Sequence, residues 1–395
     1  MSPSSQGYCM KESRFAFGKN WTEFVQKHLT PEAIATAQKA LLDFARLPSL
    51  AGMTVLDIGC GSGIHSLAAH RAGAAKVVSF DYDADSVNIS RTLHVQAGSP
   101  ATWTIEQGSV LDVGFMQSLG QFDLVYSWGV LHHTMDMMTA LNNAVTTIAP
   151  NGLFVLALYS YTAYQNNTVF GQPTPEEWLV IKKNYVDGGT QVRRRLIREY
   201  IWRRYFSRAE GNLLTLAACA WDLFSGWHAY KKNSRGMNFF TDIKDWLGGW
   251  PMEFMSEQTC SIFAKDAGLE LLRIQTGRGN TQYLFRPRGA RNSWSVPLAQ
   301  RVLHPLAPPF KRVARHVWQA TVPQDIPHDT KSAPFSSPLR LMENDAVWGF
   351  AHCHRPALEA FGMGRYRHEA GKLLFSTTDN SDPNTNGREY VWYVE

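Results

Sequence analysis

The stretch Val55-Leu56-Asp57-Ile58-Gly59-Cys60-Gly61-Ser62-Gly63 constrains the fold more than any other in the 395 residues. Apolar residues run into an acid, glycines follow at every second position, and His65-Ser66-Leu67-Ala68-Ala69 comes next. The pattern predicts a buried parallel strand ending at Leu56–Ile58, a sharp turn, and a helix starting near Ser62. Glycines let the main chain approach a ligand without a Cβ clash, and a helix N-terminus aims unpaired N–H groups at it. Asp57 puts a carboxylate at the strand's carboxyl end, where open α/β sheets bind ligands. Eighteen residues after Gly63, Lys76-Val77-Val78-Ser79-Phe80 ends in Asp81, an acid placed to accept hydrogen bonds from a ribose.

The following chain alternates strand and helix. Strands are predicted at 53–58, 76–81, 102–107, 122–127 and 152–158, and helices at 64–72, 84–97, 111–119 and 136–148. Such alternation makes a doubly wound parallel sheet. A helix capped by Ser256 and stopped by Gly268 precedes strands over 269–276 and 281–285. Their connection is a hairpin, so the last strand is antiparallel. Upstream, Leu29–Leu47 reads as a helix with Thr30 at its N-cap and Pro31 at its first position.

The glycines read G-x-G-x-G, not the G-x-G-x-x-G of the dinucleotide fingerprint. With Asp57 before them and Asp81 after, the chain resembles class I S-adenosylmethionine-dependent methyltransferases, over roughly 12–160 and again over about 255–287. The resemblance implies a Rossmann-like, doubly wound seven-stranded sheet and S-adenosyl-L-methionine as cofactor. It carries cofactor roles onto Asp57, Gly59, Gly61, Gly63, Asp81 and Tyr82. It places Ser109 and Val110 against the adenine, although the family more often has an acid where Ser109 stands. An N-terminal helix covers the cofactor in similar enzymes, which makes Phe17, Asn20 and Trp21 lid candidates; Phe17 and Trp21 equally suit packing on the core.

The fourth strand runs into Ser127-Trp128-Gly129-Val130-Leu131-His132-His133-Thr134. Nucleic-acid amino methyltransferases carry an Asn/Asp-Pro-Pro-aromatic loop here, which this chain lacks. The segment instead resembles the small-molecule branch, such as ubiquinone-pathway O-methyltransferases. Ser127 and Trp128 are then expected at the methionine end, where an aromatic face favours a sulfonium. His132 or His133 is the candidate base for an acceptor hydroxyl, the alternative being a brace for the next helix. Asp245 is the third catalytic candidate.

The organisation expected is an N-terminal helical lid (1–50), a cofactor-binding core (51–160), a helical cap inserted at 161–255, completion of the core (256–287), a linker (288–338) with a short basic helix near Phe310–Gln319, and a small C-terminal β-rich extension (339–395). Within the cap, Gln191–Phe206 carries Arg193, Arg194, Arg195, Arg198, Arg203 and Arg204. It reads as a solvated basic face, with acidic-group, membrane or nucleic-acid contact as alternatives. Tyr230, Arg235, Asp242 and Glu253, in a loop-rich segment dense in aromatics and charges, are the substrate-pocket candidates. Near the C-terminus, Asp382, Asn384, Asn386 and Gly387 imitate the first half of a calcium loop, but Tyr393 stands where its glutamate belongs. That segment reads as a polar turn.

Bulk properties narrow the class. No run of about 18 apolar residues exists, so a membrane-spanning helix is not expected. Five scattered cysteines without a C-x-x-C pair point to free thiols and no zinc site. The N-terminus lacks signal-peptide character, so a cytoplasmic location is expected. A net charge of +5 is a weak argument for nucleic acid, which is not an expected partner. A homodimer stays open. The reaction expected is metal-independent O-methylation of a hydroxyl or carboxylate on a small molecule. Methylation of a glycan, lipid or RNA, and a non-catalytic cofactor-binding subunit, are the alternatives.

Overall fold

Strand β1 (Thr54–Ile58) is buried on both faces and pairs in parallel with β2 (Lys76–Asp81) and β4 (Phe122–Trp128). In the computed structural model, residues 18, 21–22, 25, 29–206, 213–233, 239–290, 302–344, 346–347 and 349–395 are described, side chains at 229–233, 239–242 and 245 excepted. With β3 (Trp103–Gln107), β5 (Ile148–Tyr159), β6 (Leu269–Thr276) and β7 (Asn280–Pro287) they make a seven-stranded sheet of order β3-β2-β1-β4-β5-β7-β6. Only β7 runs against its neighbours, pairing antiparallel with both β5 and β6.

Alternate residues of each strand feed opposite layers, as the two-residue strand period requires. Val55, Val77, Leu124 and Val155 meet Leu41 and Phe44 of α1 (Pro31–Ala45), Leu67 of α2 (Ile64–Arg71) and Leu93 of α3 (Ala84–Gln96). Leu56, Val78, Val125 and Phe154 meet Met116 of α4 (Val113–Leu119), Leu141 of α5 (Met137–Thr146) and Phe263 of α11 (Glu257–Asp266). Helix starts follow the sequence signals. Thr30, Asp83, Asp112, Asp136 and Ser256 each accept a backbone N–H at the first turn they precede.

Between β5 and α11 the chain forms α6 (Tyr161–Asn167), α7 (Pro175–Asp187), α8 (Thr190–Ile201), a π-helical turn (Trp202–Phe206), α9 (Leu213–Asn233) and α10 (Phe239–Gly248). They share a core of Tyr164, Trp178, Tyr185, Leu196, Ile243 and Leu247. The segment leaves and rejoins the sheet at one point, where Tyr161 N donates to Met255 O and Met255 N to Tyr159 O, both at 3.1 Å.

The C-terminal chain corrects two expectations. The basic helix near Phe310–Gln319 is a hairpin of β9 (Lys311–Ala314) and β10 (Val317–Thr321). Val317, Trp318 and Thr321 are strand formers, and Trp318 and Ala320 face a core. The β-rich unit therefore begins inside the expected linker, at β8 (His304–Leu306), and not at 339. It holds two four-stranded antiparallel sheets, with β11 (Leu339–Glu343), β12 (Ala346–Val347), β13 (Tyr366–Glu369), β14 (Lys372–Phe375) and β15 (Tyr390–Val394) as the remaining strands. In the calcium-loop imitation, Asp382 and Asn386 accept the N–H groups of Asn384 and Arg388, while Asn384 binds both backbone polar groups of Phe310. Its side chains brace the turn and tie it to Phe310.

This unit is anchored to the sheet. Met342, Val347 and Tyr393 join the core beside Cys260 and Phe285. Buried Arg365 donates to Asn166 Oδ1 at 2.6 Å, Gln165 Oε1 at 2.7 Å and Gly362 O at 2.9 Å. The Glu395 side chain makes ion pairs with Arg340, Arg273 and Arg46 at 2.8, 3.1 and 3.4 Å. Arg365→Met strips buried Asn166 Oδ1 and half-buried Gln165 Oε1 of this donor, while Gly362 O keeps the backbone N–H of residue 365, and a loss of about 2–4 kcal/mol is expected. Urea unfolding checks this; a change below about 0.5 kcal/mol would show that the anchor carries no stability.

Candidate active site

Asp57 and Asp81 end β1 and β2 side by side with the glycine turn. Asp57 Oδ2 accepts from Ser66 Oγ at 2.6 Å. Asp81 Oδ2 accepts from Gly61 N at 3.0 Å and its Oδ1 from Asp83 N at 2.9 Å. Burial pushes Asp57 up to about 7, against the Ser66 hydrogen bond and with repulsion from Asp81 added. It pushes Asp81 up to about 6, although the Asp83 and Gly61 N–H donors pull the other way. A buried and a half-buried carboxylate beside an uncapped helix start can take hydroxyl or cationic groups.

The turn has no space for side chains. Gly59 has φ +73°, and a Cβ there would fall 2.3 Å from Val130 Cγ1. Gly61 has φ +54°, and its Cβ would lie 3.0 Å from Trp21 Nε1. Trp21 thus covers the glycine turn, where the lid was expected. Gly18 fastens the same segment by donating its N–H to Asp83 Oδ2 at 2.8 Å. Phe17 and Asn20, the other lid candidates, lie outside the described residues.

The remaining cofactor candidates lie at the carboxyl ends of β2, β3 and β4. Ser109 Oγ accepts from Leu111 N at 3.2 Å, and buried Val110 accepts from Asn143 Nδ2 at 2.8 Å, which shapes the loop after β3. Tyr82 is exposed beside Asp81. Ser127 is buried against Ile58 O. The Trp128 ring stacks with Tyr126 and His65, at centroid distances of 6.1 and 6.5 Å.

A second cluster sits at the carboxyl ends of β4 and β5. His132 is fully buried between His133 and Tyr159, with ring centroids 4.3 and 4.2 Å away. Neither of its ring nitrogens has a hydrogen-bond partner. Burial holds its pKa well below the ordinary value, with the neighbouring His133 and Lys182 adding to the effect, so the ring stays neutral. His133 Nδ1 lies 2.6 Å from Pro251 O. A carbonyl only accepts, so Nδ1 carries the proton and the neutral ring has its lone pair on Nε2.

Aromatic rings wall this cluster. Tyr164 stacks on Trp246 at 5.6 Å and 5°, and Phe254, Trp178 and Tyr159 pack around Tyr164. Buried Lys182 donates to Trp246 O and lies 5.7 and 5.3 Å from the Tyr159 and Trp246 ring centres. Tyr164 Oη and Trp246 Nε1 are buried with no hydrogen-bond partner. Glu253, expected in the pocket, has Oε2 accepting Met137 N at 2.9 Å, at the start of α5. Burial raises its pKa. Arg235 lies outside the described residues, as do the side chains of Tyr230, Asp242 and Asp245.

Sequence reasoning missed Tyr159, Tyr164, Lys182 and Trp246. Trp246 lies inside the aromatic stretch that was singled out, but its charged neighbours drew the attention. Tyr159 closes the fifth strand, a position that alone was a usable signal.

Residues 27–273, more than half of the chain, match the methyltransferase domain family. The chain belongs to that family. Over 116 residues it is 34% identical to the ubiquinone biosynthesis O-methyltransferase of Methylobacterium sp. (strain 4-46), covering 29% of this chain and 43% of that one. It is 33% identical over 112 residues to the tRNA U34 carboxymethyltransferase of Idiomarina loihiensis, covering 28% and 34%. The match thus spans less than half of either relative. Among solved structures, PKMT2 from Rickettsia typhi in complex with AdoHcy aligns with a TM-score of 0.45 at 14% identity, over 69% of this chain and 58% of that one.

Class I methyltransferases use S-adenosylmethionine, and the residues present fit it. The glycine turn leaves room only for backbone, the start of α2 has no side-chain cap, and Asp81 offers two oxygens to a diol. A carboxylate accepts hydroxyl hydrogen bonds best when ionised, and Asp81, pushed up to about 6, ionises near neutrality. Affinity for S-adenosylhomocysteine should therefore rise about tenfold per pH unit below about pH 6 and level off above it. Calorimetric titration from pH 5 to 8 checks this; a flat profile, or the same profile in Asp81→Asn, would show that Asp81 does not govern binding.

Proposed function

We propose that this methyltransferase transfers a methyl group to a hydroxyl or carboxylate oxygen of a small-molecule acceptor bound between β4, β5 and the inserted helices. The observation carrying this reading is the His132–His133 pair at the ends of β4 and β5, with one ring neutral and unsatisfied and the other oriented by Pro251 O. When bound, S-adenosylmethionine supplies a methyl group on a positively charged sulfur. For a hydroxyl acceptor, His133 Nε2 would take the proton as the methyl group leaves sulfur for the acceptor oxygen; a carboxylate acceptor would need no base, and there the ring would only orient it. His132 positions the acceptor oxygen, and Tyr159, Tyr164 and Trp246 exclude water and pack an apolar body. Trp128 offers an aromatic face to the sulfonium. The similarity to ubiquinone biosynthesis O-methyltransferases supports an oxygen acceptor.

A second reading, a macromolecular acceptor such as RNA, is favoured by the exposed arginines of α8 and by the similarity to a tRNA-modifying enzyme. Methyl-labelled cofactor and cell extract divided by molecular mass separate the two. Label is expected in the small fraction; label confined to the large fraction would replace the first reading with the second. His133→Ala should lower turnover by about 100-fold or more while cofactor affinity stays within about twofold. Unchanged turnover would remove His133 as the base.

A further inference from the structure

Helix α9 turns an apolar face to solvent. Leu213 and Leu214 are 86% and 84% exposed, Trp221 67% and Phe224 47%. At 3.6 residues per turn, Leu214, Trp221, Phe224 and His228 fall on one side. Their rings touch in series: Trp221 to Phe224 at 5.9 Å, and Phe224 to His228 at 4.7 Å. The opposite side, through buried Cys219 and half-buried Leu223, holds the helix to the cap. The adjoining π-helical turn adds Trp202, 57% exposed and stacked on Phe206.

Charge identifies what this face meets. Residues 190–233 contain nine Arg and Lys against three Asp and Glu, while the whole chain carries only +5. The rest of the sequence is therefore close to neutral, and the net positive charge of the chain is carried by the same segment that holds the apolar face. Arg194, Arg195 and Arg198 on α8, and Arg203 and Arg204 in the turn, are exposed. A second copy docking here would bring two positive faces together, which opposes a symmetric dimer. Nucleic acid would use the arginines but leave the leucines in water. An anionic lipid surface satisfies both, with apolar side chains at the acyl boundary and arginines at the headgroups. No described helix is long and apolar enough to span a membrane, so such contact would lie along the surface.

We propose that the α8–α9 face docks on anionic lipid surfaces, with Leu214, Trp221 and Phe224 inserting and Arg203 and Arg204 binding headgroup phosphates. The test is flotation of the full chain with phosphatidylcholine vesicles, with and without phosphatidylglycerol. Binding is expected with the anionic vesicles and should weaken about tenfold or more at about 0.5 M salt. Trp221→Ser/Phe224→Ser and, separately, Arg203→Glu/Arg204→Glu should each weaken it about tenfold or more, with far-UV circular dichroism and cofactor affinity unchanged. All four side chains are exposed, so neither variant should fail to fold. Failure to float with any vesicle, or equal flotation of both variants and the parent, would overturn the proposal. So would a sedimentation-velocity dimer that the aromatic double variant abolishes.

Discussion

A single close approach of backbone to side chain organises both halves of the site. Val130 lies over Gly59, where not even a methyl group would fit. The same valine accepts His133 N at 2.8 Å, so the glycine turn and the histidine pair share one support. A side chain at position 59 would meet a positive φ and a filled space together, and the valine could give way only by moving the segment that carries the histidines. The geometry of the glycine turn and that of the histidine pair are therefore not independent.

The electrostatics divide along the same line. On the β1–β2 side, burial raises two carboxylates that remain in contact with backbone donors. On the β4–β5 side, burial keeps His132 neutral beside an ammonium held among aromatic rings. Burial moves the two acids toward neutrality and keeps the His132 ring uncharged, so the histidine adds no positive charge to the site. Carboxylates on one side and an uncharged ring on the other suit a site that takes a cationic cofactor.

How legible this was depended on the range of the interactions. The strand ends at Ile58 and Asp81, and the caps at Thr30 and Ser256, are set by neighbours in sequence and stand where the sequence puts them. The hairpin at 311–321 was misread because Lys311, Arg312, Ala314 and Arg315 tolerate helix, while the packing of Trp318 against Phe375 and Tyr390 is long-range. The aromatic pocket was hidden for the same reason. Tyr164, Lys182 and Trp246 lie on three different helices and acquire meaning only when those helices meet. Lys182 was the least readable, because a lysine on an amphipathic helix ordinarily faces water.

The single point at which the inserted helices leave and rejoin the sheet has a consequence for how such chains diversify. With Tyr159, Tyr161 and Met255 already joined by backbone hydrogen bonds, the two ends of the insertion are neighbours whatever lies between them. Closing a longer or shorter excursion there adds little entropic cost, since that cost grows only with the logarithm of length. The sheet can thus accept a different excursion at this position without altering its strand order. What would not survive the exchange is Pro251 O, and with it the hydrogen bond that fixes the His133 ring. The excursion that walls the histidine pair with aromatic rings also supplies the contact that sets the tautomer of the proposed base, so the walls and the ring orientation are inherited together.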